Sequence, residues 1–190
     1  MRRIRLGIAL LAVVVVPLAG QALADRDWVV PAESRIEFVG TNFFSTAQGV
    51  FHRWRIVEAS VQPSRPSESF MTVEVDVASL DTGIQRRDDH LRTDDFFDVA
   101  RFPTARVLVH QVRATRENVY RARFDIRIRD VEKSFEAEFE LVRASPPTVA
   151  GQLNLKRTDF GVGSAPSRWN PMSVDDEVLV RFHVVLEAAP

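Results

Sequence analysis

Between Tyr120 and Leu141 the chain carries a pattern that leaves few folds open. Tyr120, Ala122, Phe124, Ile126 and Ile128 occupy the even positions, and Arg121, Arg123, Asp125, Arg127 and Arg129 the odd ones. Phe135, Ala137, Phe139 and Leu141 then alternate with Glu136, Glu138 and Glu140. A two-residue period cannot sit on a helix, whose faces recur every 3.6 residues. It marks a strand with one dry and one wet face. Two such strands in succession, with Asp130-Val131-Glu132-Lys133 between them, predict an antiparallel hairpin.

The chemistry of the two faces restricts the register. Setting Arg129 against Ser134 pairs Ile128 with Phe135, Ile126 with Ala137 and Phe124 with Phe139. On the wet face Arg127 then meets Glu136, and Arg123 meets Glu140. A slip of one residue would put every apolar side chain opposite a charge. Exposed pairs of this kind contribute about 0.2–1 kcal/mol each; their main effect is to select the partner strand.

The same period recurs in Met71, Val73, Val75 and Val77, and again in Val178, Val180, Phe182, Val184 and Leu186. Weaker alternation covers 34–39, 49–61, 104–113 and 149–157. The expected fold is therefore all-β: eight antiparallel strands, in a closed barrel or a sandwich. Closure removes exposed edges, and a ring of eight strands is just wide enough to enclose one small ligand. Between Val77 and Thr104 the alternation stops. Asp81-Thr82-Gly83 can cap a short helix from Ile84 to Arg92, giving a helix and lid insertion near residues 81–103 that is long enough to suggest a functional role. A second irregular stretch, Ser164 to Asp175, carries Pro166, Trp169, Asn170 and Pro171.

The amino terminus reads as an export signal. Arg2, Arg3 and Arg5 precede an apolar run from Leu6 to Leu18, and Ala22-Leu23-Ala24 supplies the small-x-small cleavage pattern. The run is shorter than the roughly 20 residues that span a bilayer. Cleavage after Ala24 would leave residues 25–190 as one domain in the periplasm. The chain has no cysteine, which excludes thiolate chemistry and disulfides. Its 25 basic residues against 26 acidic ones, three of the former in the signal, leave no basic patch for nucleic acid.

Several stretches resemble one known family. Trp28 followed by Ser34-Arg35-Ile36-Glu37-Phe38, then Gly49-Val50-Phe51, are similar to the opening strands of the YceI-like, polyisoprenoid-binding periplasmic proteins. Ala78-Ser79-Leu80-Asp81-Thr82-Gly83, Arg87-Asp88-Asp89-His90-Leu91-Arg92, Asp95-Phe96-Phe97-Asp98-Val99 and Phe102-Pro103-Thr104 resemble the central block of that family. Lys156-Arg157-Thr158-Asp159-Phe160-Gly161-Val162-Gly163 resembles its later segment. The chain departs from the family pattern at Asp130, where a glycine is usual, and at Gly40-Thr41-Asn42-Phe43-Phe44, where a basic residue or histidine is usual. The resemblance implies a lipocalin-like barrel around an apolar channel that holds an isoprenoid chain, either a polyprenyl lipid or an isoprenoid quinone.

The expected channel wall comprises Phe38, Phe51, Ile84, Leu91, Phe96, Phe97 and Phe102 from the first half of the chain. Tyr120, Phe124, Ile126, Ile128, Phe139, Val180 and Phe182 complete it. Asp89, His90, Arg92 and Asp95, with Arg157 and Asp159, are the expected polar anchors of the lid. Asp94 or Asp95 would cap a turn, and Arg92 and Arg157 would pair with the aspartates. No catalytic residue, metal or cofactor is expected, and the spacing of His90 among the aspartates matches no zinc helix or calcium loop. The alternative is an enzyme acting on a small hydrophobic or isoprenoid substrate, with His90 as general base and an aspartate orienting it. The expected partners are the isoprenoid lipid and, in passing, a membrane or a membrane redox protein, for a monomer or homodimer.

Overall fold

The computed structural model describes residues 28–29, 32–62, 64–167, 169–170 and 173–188. The expected signal peptide, residues 1–24, lies outside the described residues. Among these residues twelve strands and one α-helix follow in chain order. They are β1 (Trp28–Val29), β2 (Arg35–Thr41), β3 (Thr46–Phe51), β4 (Trp54–Ser60), β5 (Phe70–Asp76), β6 (Leu80–Asp81), α1 (Gln85–Arg92), β7 (Thr104–Arg116), β8 (Val119–Ile128), β9 (Val131–Ala144), β10 (Pro147–Lys156), β11 (Glu177–Val185) and β12 (Glu187–Ala188).

Ten of these strands form one antiparallel sheet in the order β4-β5-β7-β8-β9-β10-β11-β2-β3-β6, and β1 pairs separately with β12. The two ends of that order meet. β4 continues the path of β3 after the bend at His52-Arg53, and β6 continues β5 after a short 3-10 turn at Val77–Ser79. Val50 pairs with Glu37 on one side and Asp81 on the other, and Phe51 with Ile36 and Leu80. The sheet therefore curls into a ring of eight strand paths, two of them broken. This reconciles the expected eight strands with the larger number observed.

The breaks explain why some strands were faint in the sequence. The stretch 49–61 divides at His52-Arg53 and shifts register again between Ile56 and Glu58, so its period changes twice. β7 shifts between His110 and Arg113, where Gln111 has a φ of +53°. Both Val109 and Val112 are consequently buried, which an unbroken two-residue period would not allow.

The central hairpin keeps its faces but not its expected register. Ile128 pairs with Val131, Phe124 with Phe135, Ala122 with Ala137 and Tyr120 with Phe139. Arg123 lies opposite Glu136 and Arg127 opposite Glu132, instead of Glu140 and Glu136. The connection is Arg129-Asp130, not Asp130 to Lys133, because Arg129 takes a left-handed φ of +56° that is uncommon outside glycine and asparagine. The shift is an even number of residues, so on the dry face apolar still meets apolar except at Ile126, which lies opposite Lys133. The buried residues form two clusters. One is built on Phe124, Ile126, Leu153, Leu155 and Phe160; the other is built on Ile56, Val73, Val75, Val149 and Val184.

Candidate functional site

The inner face of the ring is lined but not filled. A cavity of about 1160 Å³ lies against alternate residues of most strands, including Ile36 and Phe38 of β2, Val73 and Val75 of β5, Ile126 and Ile128 of β8, Leu153 and Leu155 of β10, and Val178 and Val180 of β11. A second chamber of about 290 Å³ is lined by Tyr120, Phe139, Leu141, Val149 and Leu186 among others. Met71, Val109, Phe124 and Phe182 border both spaces and form the neck between them. The larger space is slightly above the range that small-molecule pockets occupy, roughly 300–1,000 Å³.

Two glycines set the width of the wall. Phe38 lies across the strand pair from Gly49, and a Cβ on Gly49 would stand 2.3 Å from the Phe38 Cζ. Phe182 covers Gly151 in the same way, at 2.5 Å. With no side chain beneath them, both rings can lie close to the sheet instead of projecting across the cavity.

Polar groups gather at the rim. Thr41, Asn42 and Ser45 come from the end of β2 and the β2–β3 turn; Arg86, Arg87, His90 and Asp95 from α1 and its flanks; Ser164, Asn170 and Ser173 from the later irregular segment. The Asn42 side-chain oxygen accepts from the backbone N–H of Phe44 and Ser45 at 2.9 and 2.8 Å, which fixes the turn. Asp175 ties the later segment to β2: its N–H donates to the Thr41 carbonyl at 2.8 Å, and its carboxylate accepts from Thr41 Oγ1 at 2.6 Å.

Arg157 is the buried centre of this end, 7% exposed. Nε donates to the Asp175 carbonyl at 2.9 Å, one terminal nitrogen to Val162 at 2.8 Å and the other to Val174 at 2.7 Å. Burial draws its pKa below the ordinary arginine value, and the nearby charges of Asp176 and Asp175 oppose that. Asp176 accepts from the Thr158 hydroxyl at 2.7 Å and its N–H at 3.1 Å. The hydroxyl bond is the main reason its carboxyl sits below the ordinary carboxylate range.

The expected wall residues are placed as follows. Phe38, Phe51, Ile84, Leu91, Phe96, Phe97, Phe124, Ile126, Ile128, Val180 and Phe182 line the larger cavity. Tyr120 and Phe139 line the smaller one and stack with centroids 5.5 Å apart. Phe102 lines neither. It lies under the guanidiniums of Arg101 and Arg129, 5.0 and 5.5 Å from its ring centre.

The polar anchors need more correction. Arg92 donates to the backbone carbonyls of Ala78 and Leu80 at 3.0 and 2.6 Å; its contact with Asp89 is longer, 3.4 Å. Arg157 contacts no lid aspartate, and Asp159 is exposed. The turn after α1 is closed by backbone N–H groups of Phe96 and Asp98 on the Thr93 carbonyl, not by a cap from Asp94 or Asp95. Asp81 does not cap the helix: Ile84 is the N-cap, without a side-chain bond. The buried Asp88 instead accepts from the Thr82 N–H at 3.0 Å and from its hydroxyl.

Two residues that sequence reasoning missed hold the crossover. Arg129, at the β8–β9 turn, donates to the carbonyls of Phe96, at 3.0 Å, and of Gly161. The buried Asp98 lies 3.9 Å from Arg129 and 3.4 Å from Arg101. Arg129 read as one more wet-face arginine; the signal available was its place at the end of the alternating run.

The chemistry of the His90 cluster is sparse. His90 Nε2 is 3.6 Å from Asp95 Oδ2, and the side chains are 59% and 76% exposed. His90 packs edge-on against Phe96, with centroids 4.9 Å apart. On the outer face, His110 is 2.8 Å from Asp125, and Ser134 donates to the other oxygen of the same carboxylate at 2.5 Å. The aspartate stands between histidine and serine, so the histidine is not placed to take the serine proton. Among the described residues, no three His, Asp or Glu side chains converge to hold a metal ion. No helix among them is long and apolar enough to cross a membrane.

Comparison with known proteins agrees with this geometry. A model of the YceI-like domain matches residues 28–186. A UPF0312 protein of Pseudomonas savastanoi pv. phaseolicola is 33% identical over 174 residues, covering 85% of this chain and 86% of the relative. Among solved structures, BcnA of Burkholderia cenocepacia superposes with a TM-score of 0.75 at 24% identity, covering 83% of this chain and 99% of that one. A polyisoprenoid binding domain from Saccharophagus degradans, implicated in plant cell wall breakdown, gives 0.65 at 15% identity, covering 87% and 99%. At these identities the structures speak for the fold.

Proposed function

This chain belongs to the YceI-like family, and from that premise we propose that it is a periplasmic carrier that shelters an isoprenoid lipid without making or breaking a bond. The observation that carries the reading is the hollow apolar interior of about 1160 Å³, in a ring whose own side chains leave it open. The name of the Saccharophagus degradans domain supports the class of ligand, and the signal-like residues 1–24 support export. The cargo is a polyprenyl chain or an isoprenoid quinone.

Burying hydrocarbon stabilises by roughly 0.8 kcal/mol per CH₂, so a few isoprene units suffice to offset the ordering of a flexible chain. Such a site needs few polar contacts. The wall here has almost none, and the polar groups are confined to the rim where a head group would emerge.

The test is direct loading. Purified protein is incubated with a polyprenol or an isoprenoid quinone, separated from free lipid and weighed by native mass spectrometry. The expected result is a one-to-one complex that releases unchanged lipid on extraction. Failure to retain either lipid would overturn the proposal, and chemically altered lipid would favour an enzyme.

A further inference from the structure

Six large hydrophobic residues are exposed among the described ones, and four of them stand at one end of the ring. Phe43 is 82% and Phe44 66% exposed, at the tip of the β2–β3 turn between the cavity-lining Asn42 and Ser45. Ile84 is 53% exposed and lines the rim itself. Trp169 is 89% exposed and adjoins the rim residue Asn170. The other two, Val57 and Val142, lie on strands away from the rim.

These side chains are displayed by well-bonded turns. Asn42 accepts from both Phe44 and Ser45, and the two phenylalanine rings meet edge to face, 5.0 Å apart. The Trp169 turn is closed by bonds from Asn170 to the Ser167 carbonyl and from Ser167 to the Ser173 hydroxyl. Asp175 joins that segment to the end of β2. An exposed aromatic cluster has a cost in water, and exposed apolar patches mark contact surfaces.

The charge around the cluster points to one kind of surface. Arg86, Arg87 and Arg157 line the cavity end with the carboxylate of Asp95. The exposed carboxylates of Asp89 and Asp175 nearby are engaged by Gln85 and Arg92 and by Thr41, and Asp94 is exposed beside them. Arg87 is held by Thr82 and Arg157 is buried by backbone carbonyls, whereas Arg86 is exposed and makes no ion pair among the described residues. Aromatic residues with an available arginine suit the boundary between lipid head groups and acyl chains.

We infer that the rim formed by Phe43, Phe44, Ile84 and Trp169, with Arg86, is a docking surface for an anionic lipid bilayer. This rests on the carrier reading, and it adds where and how cargo passes. With the rim seated in the head-group layer, a hydrocarbon chain moves between bilayer and cavity without crossing water.

Vesicle flotation tests it, using phosphatidylcholine alone and phosphatidylcholine with phosphatidylglycerol. The wild-type protein is expected to float with the anionic vesicles, and its tryptophan emission to shift to the blue; the Trp169→Phe variant loses that shift. The double variant Phe43→Ser/Phe44→Ser, altered only at exposed positions, is expected to partition roughly tenfold more weakly. Arg86→Ala should weaken binding to the anionic vesicles alone.

Polyprenol loading from detergent is measured separately on every variant. Wild-type protein that loads polyprenol but floats with neither vesicle overturns the docking surface and leaves the carrier reading standing. A double variant that floats as well as wild type also overturns it. So does a concentration-dependent dimer that the double serine substitution abolishes, with no vesicle binding. Normal flotation without any loading supports the surface and defeats the carrier reading.

Discussion

Replacing Gly49 with alanine tests whether the cavity owes its width to a missing side chain. The added Cβ would stand 2.3, 2.7 and 2.9 Å from three atoms at the far end of the Phe38 ring, where ordinary contact begins near 3.4 Å. The ring must retreat by about 1 Å or change rotamer, and the space beside it is the cavity. In a packed core such an insertion costs roughly 1–3 kcal/mol. Here the ring has somewhere to go, and alanine in a strand gains about 0.5–1 kcal/mol over glycine. The unfolding free energy should therefore change by less than about 1 kcal/mol.

Binding should respond more strongly. A ring turned into the channel displaces hydrocarbon of about one isoprene unit, worth roughly 4 kcal/mol gross at 0.8 kcal/mol per CH₂. Relaxation of a flexible ligand recovers part of this, leaving about 1.5 kcal/mol, or roughly a tenfold higher Kd. The assay is a competition titration with polyprenol, run beside thermal unfolding, on Gly49→Ala and on Gly49→Ala/Phe38→Ala. The second variant should recover most of the affinity, because the clash it relieves is the cause. Lost stability with unchanged affinity would refute the reasoning, since the ring would then have been forced into the sheet.

Three further outcomes are expected. Arg157→Met strands three carbonyls that its guanidinium now holds and should cost about 3 kcal/mol in urea unfolding, with the Val162 and Asp175 amides, which donate to the Arg157 and Thr41 carbonyls, losing hydrogen-exchange protection first. Asp176 has a lowered pKa in the folded state, so the folded chain binds fewer protons there; its contribution is full above the unfolded value of about 3.8 and fades as pH falls through the folded value. Asp176→Asn should lower stability at neutral pH by about 1 kcal/mol and flatten the loss of stability below about pH 4, read from unfolding across that range. Arg129→Ala frees the Phe96 and Gly161 carbonyls and should speed lipid release several-fold while costing about 1–2 kcal/mol, measured by exchange against labelled lipid.

The fold was legible wherever one face stayed dry for several residues. The faces of β8, β9 and β11 follow from that, and so does the closed ring of eight paths. The hairpin register did not, because it depends on Arg129 adopting a positive φ that favours glycine or asparagine. Bulges hid β4 and the end of β7 by switching the face halfway. Around the cavity, the sequence pointed to aromatic residues near His90 but not to which way they turn: Phe102 went under two guanidiniums. Arginines were expected to seek aspartates. Arg92 and Arg157 instead donate mainly to backbone carbonyls, as does Arg129, and carbonyl positions are invisible until the chain is folded.

That choice of partner by Arg157 has an evolutionary side. A latch that grips main-chain oxygen is indifferent to which side chains the gripped residues carry. The stretch bearing Trp169 can therefore exchange its surface residues under selection while its anchorage stays the same. New surfaces become accessible by point substitutions that leave this anchorage intact.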